Sequence, residues 1–139
     1  MIHILREDID KSNRITSAVD LFERIKKIDV DFSRENFIVF YLDTKNSVIN
    51  SENVFTGAID ACLVDPRVIF RKALLNNATR IIIAHNHPSG DLTPSSEDLE
   101  IAHALEELGD KLNLKVLDSI VFSETKFYSL LENSDLTGD

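Results

Sequence analysis

Residues 80–98 read RIIIAHNHPSGDLTPSSED, and this stretch decides which fold we expect. The run from Arg80 to His85 is short and apolar, which is typical of a buried β-strand. A loop with two prolines and a glycine follows, and apolar residues at helical spacing begin after Ser96. The stretch therefore predicts a strand, a loop and a helix in direct succession.

Helices and hairpins are predicted on both sides of this stretch. Ser17 and Asp20 fit a capping box at the start of a first helix, and Asp65 with Pro66 begins a second helix that ends near residues 76–77. Two strand pairs are predicted at residues 36–42 with 47–55, and at 115–122 with 126–131. The order α, β, β, α, β, α, β, β predicts an α/β (α+β) fold in which helices flank a mixed β-sheet.

The length of 139 residues and the hydrophobic content of 43% fit a single domain with one core. We place this domain at residues 16–131, between an N-terminal arm (residues 1–15) and a flexible tail (residues 132–139). The arm alternates charged and apolar residues only weakly, so its sequence fits both an edge strand and a segment that lies on a partner.

Charge and cysteine content exclude several classes of protein. A formal net charge of −9 opposes nonspecific binding to phosphates, which excludes a nucleic-acid coat protein. No apolar run is long enough to span a bilayer and the N-terminus lacks a signal peptide, so we expect a soluble, cytoplasmic protein without a membrane partner. The single cysteine, Cys62, leaves histidines and carboxylates to hold any metal.

Residues 85–98 contain the side chains of a metal chelate. His85 and His87 stand two positions apart on extended backbone, so both imidazoles point to one side and can reach the same ion at about 2.0–2.1 Å. Asp98, in the first turn of the next helix, offers a carboxylate as third ligand. A fourth, open position would remain for water, which makes catalysis feasible.

The same residues have structural interpretations. Ser95 and Asp98 also form a capping box, which satisfies the first turn of any helix, and two histidines at a strand end can be satisfied by hydrogen bonds alone. The conjunction favours the metal site, because average residue usage makes the complete five-residue pattern a chance event on the order of 10⁻⁵ in a chain of this size.

The pattern His85-x-His87-Pro88, six residues, Ser95-x-x-Asp98 resembles the JAMM signature of the JAB/MPN metalloproteins. The stretch AHNHPSGDLTPSSED is similar to the RadC branch of that family, and the resemblance covers about residues 16–131. It implies a JAB/MPN fold related to cytidine deaminases, and a Zn²⁺ cofactor held by the two histidines and Asp98. The element order predicted above agrees with that fold.

The resemblance also implies a mechanism. In JAMM isopeptidases a glutamate on an earlier strand serves as general base, and the matching position here is Glu35, immediately before the apolar strand. Ser95 matches the serine that stabilises the oxyanion of the tetrahedral intermediate. Glu35 also reads as a solvated residue at a strand entry, and Ser95 as a cap alone. Glu52 and Glu97 are the other glutamates considered, and neither fits as well.

Three departures from the RadC pattern stand out. Asp65-Pro66-Arg67-Val68 replaces HPRE, and Ser119 follows Asp118 where a histidine is usual. Neither position is a metal ligand in the family, so the departures leave the zinc site intact. They put in doubt any role that those positions have in supporting the ligands or binding substrate. The helix-hairpin-helix segment of longer RadC proteins has no counterpart before the first helix, so we expect a short form or an isolated domain.

The leading hypothesis is a zinc-dependent hydrolase of peptide or isopeptide bonds, with a protein or peptide substrate as partner. One alternative is a DNA repair or recombination accessory protein, in which Arg67, Arg71, Lys72 and Arg80 would form a basic patch; a solvated helix face explains this cluster better, and the net charge does not support DNA. Another is a non-catalytic, metal-stabilised interaction module. The sequence does not indicate an oligomeric state.

Overall fold

The computed structural model describes residues 13–57 and 64–131, which form three helices and a five-stranded sheet. The helices are α1 (Ala18–Lys26), α2 (Pro66–Leu75) and α3 (Ser96–Lys111), and the strands are β1 (Glu35–Leu42), β2 (Val48–Gly57), β3 (Arg80–Asn86), β4 (Lys115–Phe122) and β5 (Phe127–Ser129). The predicted order of helices and strands is confirmed.

The strands lie in the order β2-β1-β3-β4-β5. Strand β3 pairs parallel with β4, and the other three pairings are antiparallel, so the sheet is mixed as predicted. The two central strands, β1 and β3, are almost entirely buried. Their near-continuous apolar runs follow from this position, because helices cover both faces of the sheet.

Side chains alternate between two cores along the central strands. The core on the side of α2 and α3 contains Phe37, Val39, Tyr41, Ile81, Ile83, Ile69, Phe70, Ile101 and Leu105. The core on the side of α1 contains Ile38, Phe40, Leu42, Ile82, Ala84, Leu21, Phe22 and Ile25. His85 continues the first series by two residues, so it stands on the α3 side of the sheet.

The helix starts follow the predicted caps with one difference. Ser17 Oγ accepts from the Asp20 N–H at 3.0 Å, but the Asp20 carboxylate accepts from the Thr16 N–H at 3.1 Å instead of the Ser17 N–H. The reciprocal bond of a capping box is therefore displaced by one residue at α1. At α2, Asp65 accepts from the Arg67 N–H at 2.9 Å and a proline opens the helix, as predicted.

Helices α2 and α3 end in the same way. Asn77 and Asn113 adopt the left-handed conformation with φ of 56° and 55°, and the Leu114 N–H donates to the Gly109 carbonyl at 2.9 Å. An equivalent bond closes α2. These are Schellman motifs, and each turns the chain directly into one of the two parallel strands.

Gly109→Ala is expected to destabilise the protein. A Cβ at this position would overlap the backbone carbonyl oxygen of Leu114, which the helix-ending motif holds in place. We expect the overlap to cost about 1–3 kcal/mol, more than the up to about 1 kcal/mol that alanine gains over glycine in a helix. Chemical denaturation of the two proteins measures the difference, and a higher free energy of unfolding for Gly109→Ala would contradict the overlap.

Most of the predicted arm and all of the predicted tail lie outside the described residues, as do His3 and Cys62. Arg14 forms an isolated β-bridge with Ser47, and the buried Ile15 donates its N–H to the Asn46 carbonyl at 2.8 Å. Within the described ranges, none of the helices has the length and apolar content that crossing a bilayer requires.

Candidate metal centre

His85, His87 and Asp98 converge where β3 ends and α3 begins. His85 Nε2 lies 2.9 Å from Asp98 Oδ1, and His87 Nε2 lies 2.9 Å from Asp98 Oδ2. One ligand atom from each residue lies within 4.8 Å of the others. The strand supplies both histidines at alternate positions and the helix supplies the carboxylate, so this group could hold a metal ion.

The Asp98 carboxylate is oriented by the start of α3. Its Oδ2 accepts from the Ser95 N–H at 2.8 Å, while Ser95 Oγ accepts from the Asp98 N–H at 3.1 Å. This is a complete capping box. The sequence presented the cap and the metal ligand as alternatives, but the carboxylate that caps α3 is also among the three groups that could hold an ion, so the two interpretations are compatible.

Asp98 is held as an anion. Burial disfavours its charged form, but the interactions with His85 and the Ser95 N–H outweigh burial and hold the pKa of Asp98 well below its usual range. Its side chain is 11% exposed. A nearly buried carboxylate that remains ionised is a suitable hard ligand for a divalent cation.

The histidine surroundings fit a metal ion. His87 Nδ1 lies 2.8 Å from the Asp91 carbonyl, so a proton on Nδ1 leaves the Nε2 lone pair directed at the centre. Both ring nitrogens of His85 are buried and neither has a hydrogen-bond partner of good geometry, although Nε2 lies 2.9 Å from Asp98 Oδ1. Buried polar atoms are almost always satisfied, and an ion at Nε2 would satisfy this one.

A narrow cleft with mainly apolar walls adjoins His85 and Asp98. It is lined by Phe37, Ile83, Ile101 and Ser119. The Phe37 ring lies nearly parallel to the His85 ring, with centroids 6.3 Å apart and an interplanar angle of 15°. The apolar walls fix the imidazole by packing and keep the local dielectric low, which strengthens electrostatic interactions at the centre.

Glu35, the predicted base, begins β1 on the same face as His85, one of the candidate metal ligands. Phe37 and His85 are direct partners in the antiparallel ladder, so both face the same side. Residues two apart on a strand share a face, which puts Glu35 on the side of Phe37 and His85. Glu35 is half-buried. Its role as a base remains a prediction.

Ser95, the predicted oxyanion stabiliser, sits beside the Asp98 carboxylate at the N-terminus of α3. Its hydroxyl oxygen accepts from the Asp98 N–H. This bond does not use the hydroxyl hydrogen, which can donate to another group. The helix N-terminus adds a positive field at the same place. Ser95 is therefore a cap, and its role toward substrate remains a prediction.

The other two glutamates considered and the third described histidine lie in other surroundings. Glu52 pairs with Lys72 at 2.9 Å across β2 and α2. Glu97 is exposed in the first turn of α3, and His103 is 67% exposed and 3.8 Å from Glu106. None of these residues joins the group of potential ligands found among the described residues.

The predicted basic cluster is largely paired. Arg67 bonds to Asp65 at 3.0 Å, Lys72 to Glu52 at 2.9 Å, and Arg80 Nη1 to Asn46 Oδ1 at 2.8 Å. Pairing of these cations with neighbouring side chains favours the solvated-face interpretation of the cluster.

Asn86, between the two histidines, has partners that sequence reasoning did not identify. As alternation along a strand dictates, its side chain points away from His85 and His87. The structure adds that it is completely buried and bonded to Asn36 and to the Arg34 carbonyl, 50 and 52 residues earlier. An asparagine between two histidines carries no signal of such distant partners.

Comparison with known proteins places this site in context. Residues 9–136 match the family described as RadC-like JAB domain. The chain is 38% identical over 125 residues to a UPF0758 protein of Staphylococcus haemolyticus, and 37% identical over 147 aligned residues to the UPF0758 protein YsxA of Bacillus subtilis. These alignments cover 90% and 91% of the chain, but 55% and 64% of the two relatives.

A UPF0758 protein of Halalkalibacterium halodurans is 43% identical over 104 residues, which is 75% of this chain and 45% of that protein. The chain thus spans about half the length of these relatives. The family match at residues 9–136 includes the described helices and strands and the segment with the two histidines and the aspartate.

Proposed function

Because the chain belongs to the family of RadC-like JAB domains, a fold that includes the JAMM metalloproteases, we propose that it is a zinc-dependent hydrolase of peptide or isopeptide bonds. The observation that carries this proposal is the convergence of His85, His87 and Asp98, with all three ligand atoms within 4.8 Å. Two imidazoles and one carboxylate leave one of four tetrahedral positions open, as catalytic zinc sites do.

Zinc suits this donor set better than the common hard cations. Mg²⁺ and Ca²⁺ prefer sites made entirely of oxygen, whereas two of the three donors here are imidazole nitrogens. When bound, zinc supplies a Lewis acid that polarises a carbonyl and lowers the pKa of a water molecule. His85, His87 and Asp98 would hold it.

Side chains of the protein would then transfer the proton, stabilise the developing charge and limit the access of bulk water. Glu35, on the same face of the sheet, would take a proton from the attacking water and later pass it to the leaving amine. The Ser95 hydroxyl and the start of α3 would stabilise negative charge on the carbonyl oxygen. Phe37 and Ile101 would limit bulk water at the centre, which strengthens each of these interactions.

An open groove beside His87 offers room for a substrate chain. It runs between the loop with Pro88 and the β4–β5 turn, and its walls include Phe32, Ser123 and Glu124. A groove with one aromatic wall and several polar groups suits an extended peptide better than a compact small molecule. This favours a protein or peptide substrate.

Metal removal tests the proposal. The purified chain is incubated with a fluorogenic peptide library and with peptides joined through a lysine side chain, before and after treatment with a chelator. We expect hydrolysis to disappear on chelation and to return with one equivalent of Zn²⁺ but not with Mg²⁺. Equal hydrolysis by the metal-free protein would contradict the proposal. Stoichiometric zinc without turnover of any of these substrates would favour a non-catalytic module.

A further inference from the structure

The side chain of Asn86 joins the metal-binding strand to the predicted base. Asn86 Oδ1 accepts from the Asn36 N–H at 2.9 Å, and Asn86 Nδ2 donates to the Arg34 carbonyl at 2.9 Å. These two groups belong to the peptide units on either side of Glu35. One buried amide therefore holds both peptide units that flank the Glu35 Cα.

The Asn86 side chain forms hydrogen bonds to β1 just beyond the end of the backbone ladder between β1 and β3. The pairing of β1 with β3 runs from Leu42 and Arg80 to Phe37 and His85, and goes no further toward Glu35. Beyond that point the amide of Asn86 provides the donor and the acceptor that a strand backbone would provide. Asn86 therefore extends the connection between β1 and the ligand strand as far as the two peptide units beside Glu35.

The orientation of the amide is fixed by its partners. Asn86 Oδ1 faces two donors, the Asn36 N–H at 2.9 Å and Asn36 Nδ2 at 3.0 Å, while Nδ2 faces a carbonyl. If the amide were reversed, its NH₂ group would face the two Asn36 donors and its oxygen would face the Arg34 carbonyl, so none of these hydrogen bonds could form. Asn86 is 0% exposed and Asn36 is 1% exposed, so water does not compete for these bonds.

The position of Asn86 in the chain gives this link its importance. Its backbone connects His85 to His87, while its side chain forms hydrogen bonds with the backbone of the residues before and after Glu35. We propose that Asn86 is a positioning residue that fixes Glu35 relative to the metal ligands. This inference rests on the proposed function. It assigns to Asn86 a role in catalysis through Glu35, with no contact to substrate or metal.

The test compares Asn86→Ala with Glu35→Gln and with the double variant, all in the complete chain. Asn53→Ala is the matched control, because the exposed Asn53 contacts Asn36 Oδ1 at 2.9 Å in the same network but neither peptide unit beside Glu35. Two measurements need no substrate: Zn²⁺ affinity by competition with a chromophoric chelator, and the visible spectrum of the Co²⁺-loaded protein as a function of pH. The third is hydrolysis of a peptide that the substrate screen identifies.

The proposal predicts that Asn86→Ala binds Zn²⁺ within about threefold of the parent, because no ligand is touched. The pH midpoint of the Co²⁺ spectral change should move in the same direction in Asn86→Ala as in Glu35→Gln, by about half a pH unit or more, with no further movement in the double variant. The kcat for hydrolysis should fall about 10- to 100-fold with KM little changed. Asn53→Ala should match the parent.

Each contrary result has a distinct meaning. If Glu35→Gln moves the midpoint and Asn86→Ala does not, the positioning role is wrong and the proposed function stands. If Glu35→Gln does not move the pH midpoint, Glu35 is not the base. The mechanism proposed above and the positioning role of Asn86 would then both be wrong. If Asn86→Ala loses Zn²⁺ binding, Asn86 supports the ligands and not Glu35. Should Asn86→Ala fail to fold, Asn86→Ser replaces it, since serine buries no charge and is too short to bond to both peptide units beside Glu35.

Discussion

Zinc binding is expected to be lost in the double variant His85→Ala, His87→Ala. These two residues supply two of the three donors, and a lone carboxylate does not hold zinc at protein concentrations used in solution. Each single variant should lose at least about 100-fold in affinity, since even the loss of an outer hydrogen-bond partner costs about 10- to 100-fold. Elemental analysis after reconstitution measures the stoichiometry, and competition with a chelator measures the affinity.

Two further variants separate metal binding from folding. His103→Ala removes an exposed histidine of α3 and should bind zinc like the parent chain. Asp98→Asn keeps a side-chain oxygen that can accept from the Ser95 N–H, so α3 stays capped while the anionic ligand is lost. Stoichiometric zinc in the double histidine variant would show that the ligand assignment is wrong.

Glu35→Gln is expected to lower kcat for hydrolysis by about 10²- to 10⁴-fold, the usual contribution of a general base. Glutamine has nearly the same size as glutamate but cannot take up the proton of the attacking water. Zinc stoichiometry should stay the same, because Glu35 is not among the ligand atoms that converge at the centre. Steady-state kinetics and elemental analysis on the same preparation separate the two effects.

Glu97→Gln is the control for charge near the site. Glu97 is exposed beside Asp98 at the start of α3, so this variant removes one negative charge there without touching the face of β1 that carries Glu35. Activity near the parent level is expected. If Glu35→Gln retains full activity, another group takes the proton and the alignment of Glu35 with the family base is wrong.

The order and type of every described helix and strand follow from local sequence patterns. Apolar runs such as residues 37–42 and 81–84 can only be buried from both sides, and capping residues such as Ser95 and Asp65 mark where helices begin. The pairing of parallel β3 and β4 follows from the helix between them. These features depend on neighbours in sequence, which is why sequence reasoning reaches them.

The candidate site is predictable to a lesser extent. His85, His87 and Asp98 lie within 14 residues of one another, and alternation and helix geometry bring them together. The bonds from Asn86 to Asn36 and to the Arg34 carbonyl join segments 50 and 52 residues apart, and the displaced cap at Thr16 depends on how the chain enters α1. Such contacts are set by the assembled sheet, and no local pattern encodes them.

The shared role of Asp98 has a consequence for how the protein handles its ion. The Ser95 N–H orients the carboxylate through the helix cap. The conformational entropy that the Asp98 side chain would lose on binding an ion is therefore already lost during folding. Zinc fingers, by contrast, fold only when the metal arrives. Here uptake and release of an ion would be ligand exchange at a preorganised chelate, and both would be reversible without refolding of the chain.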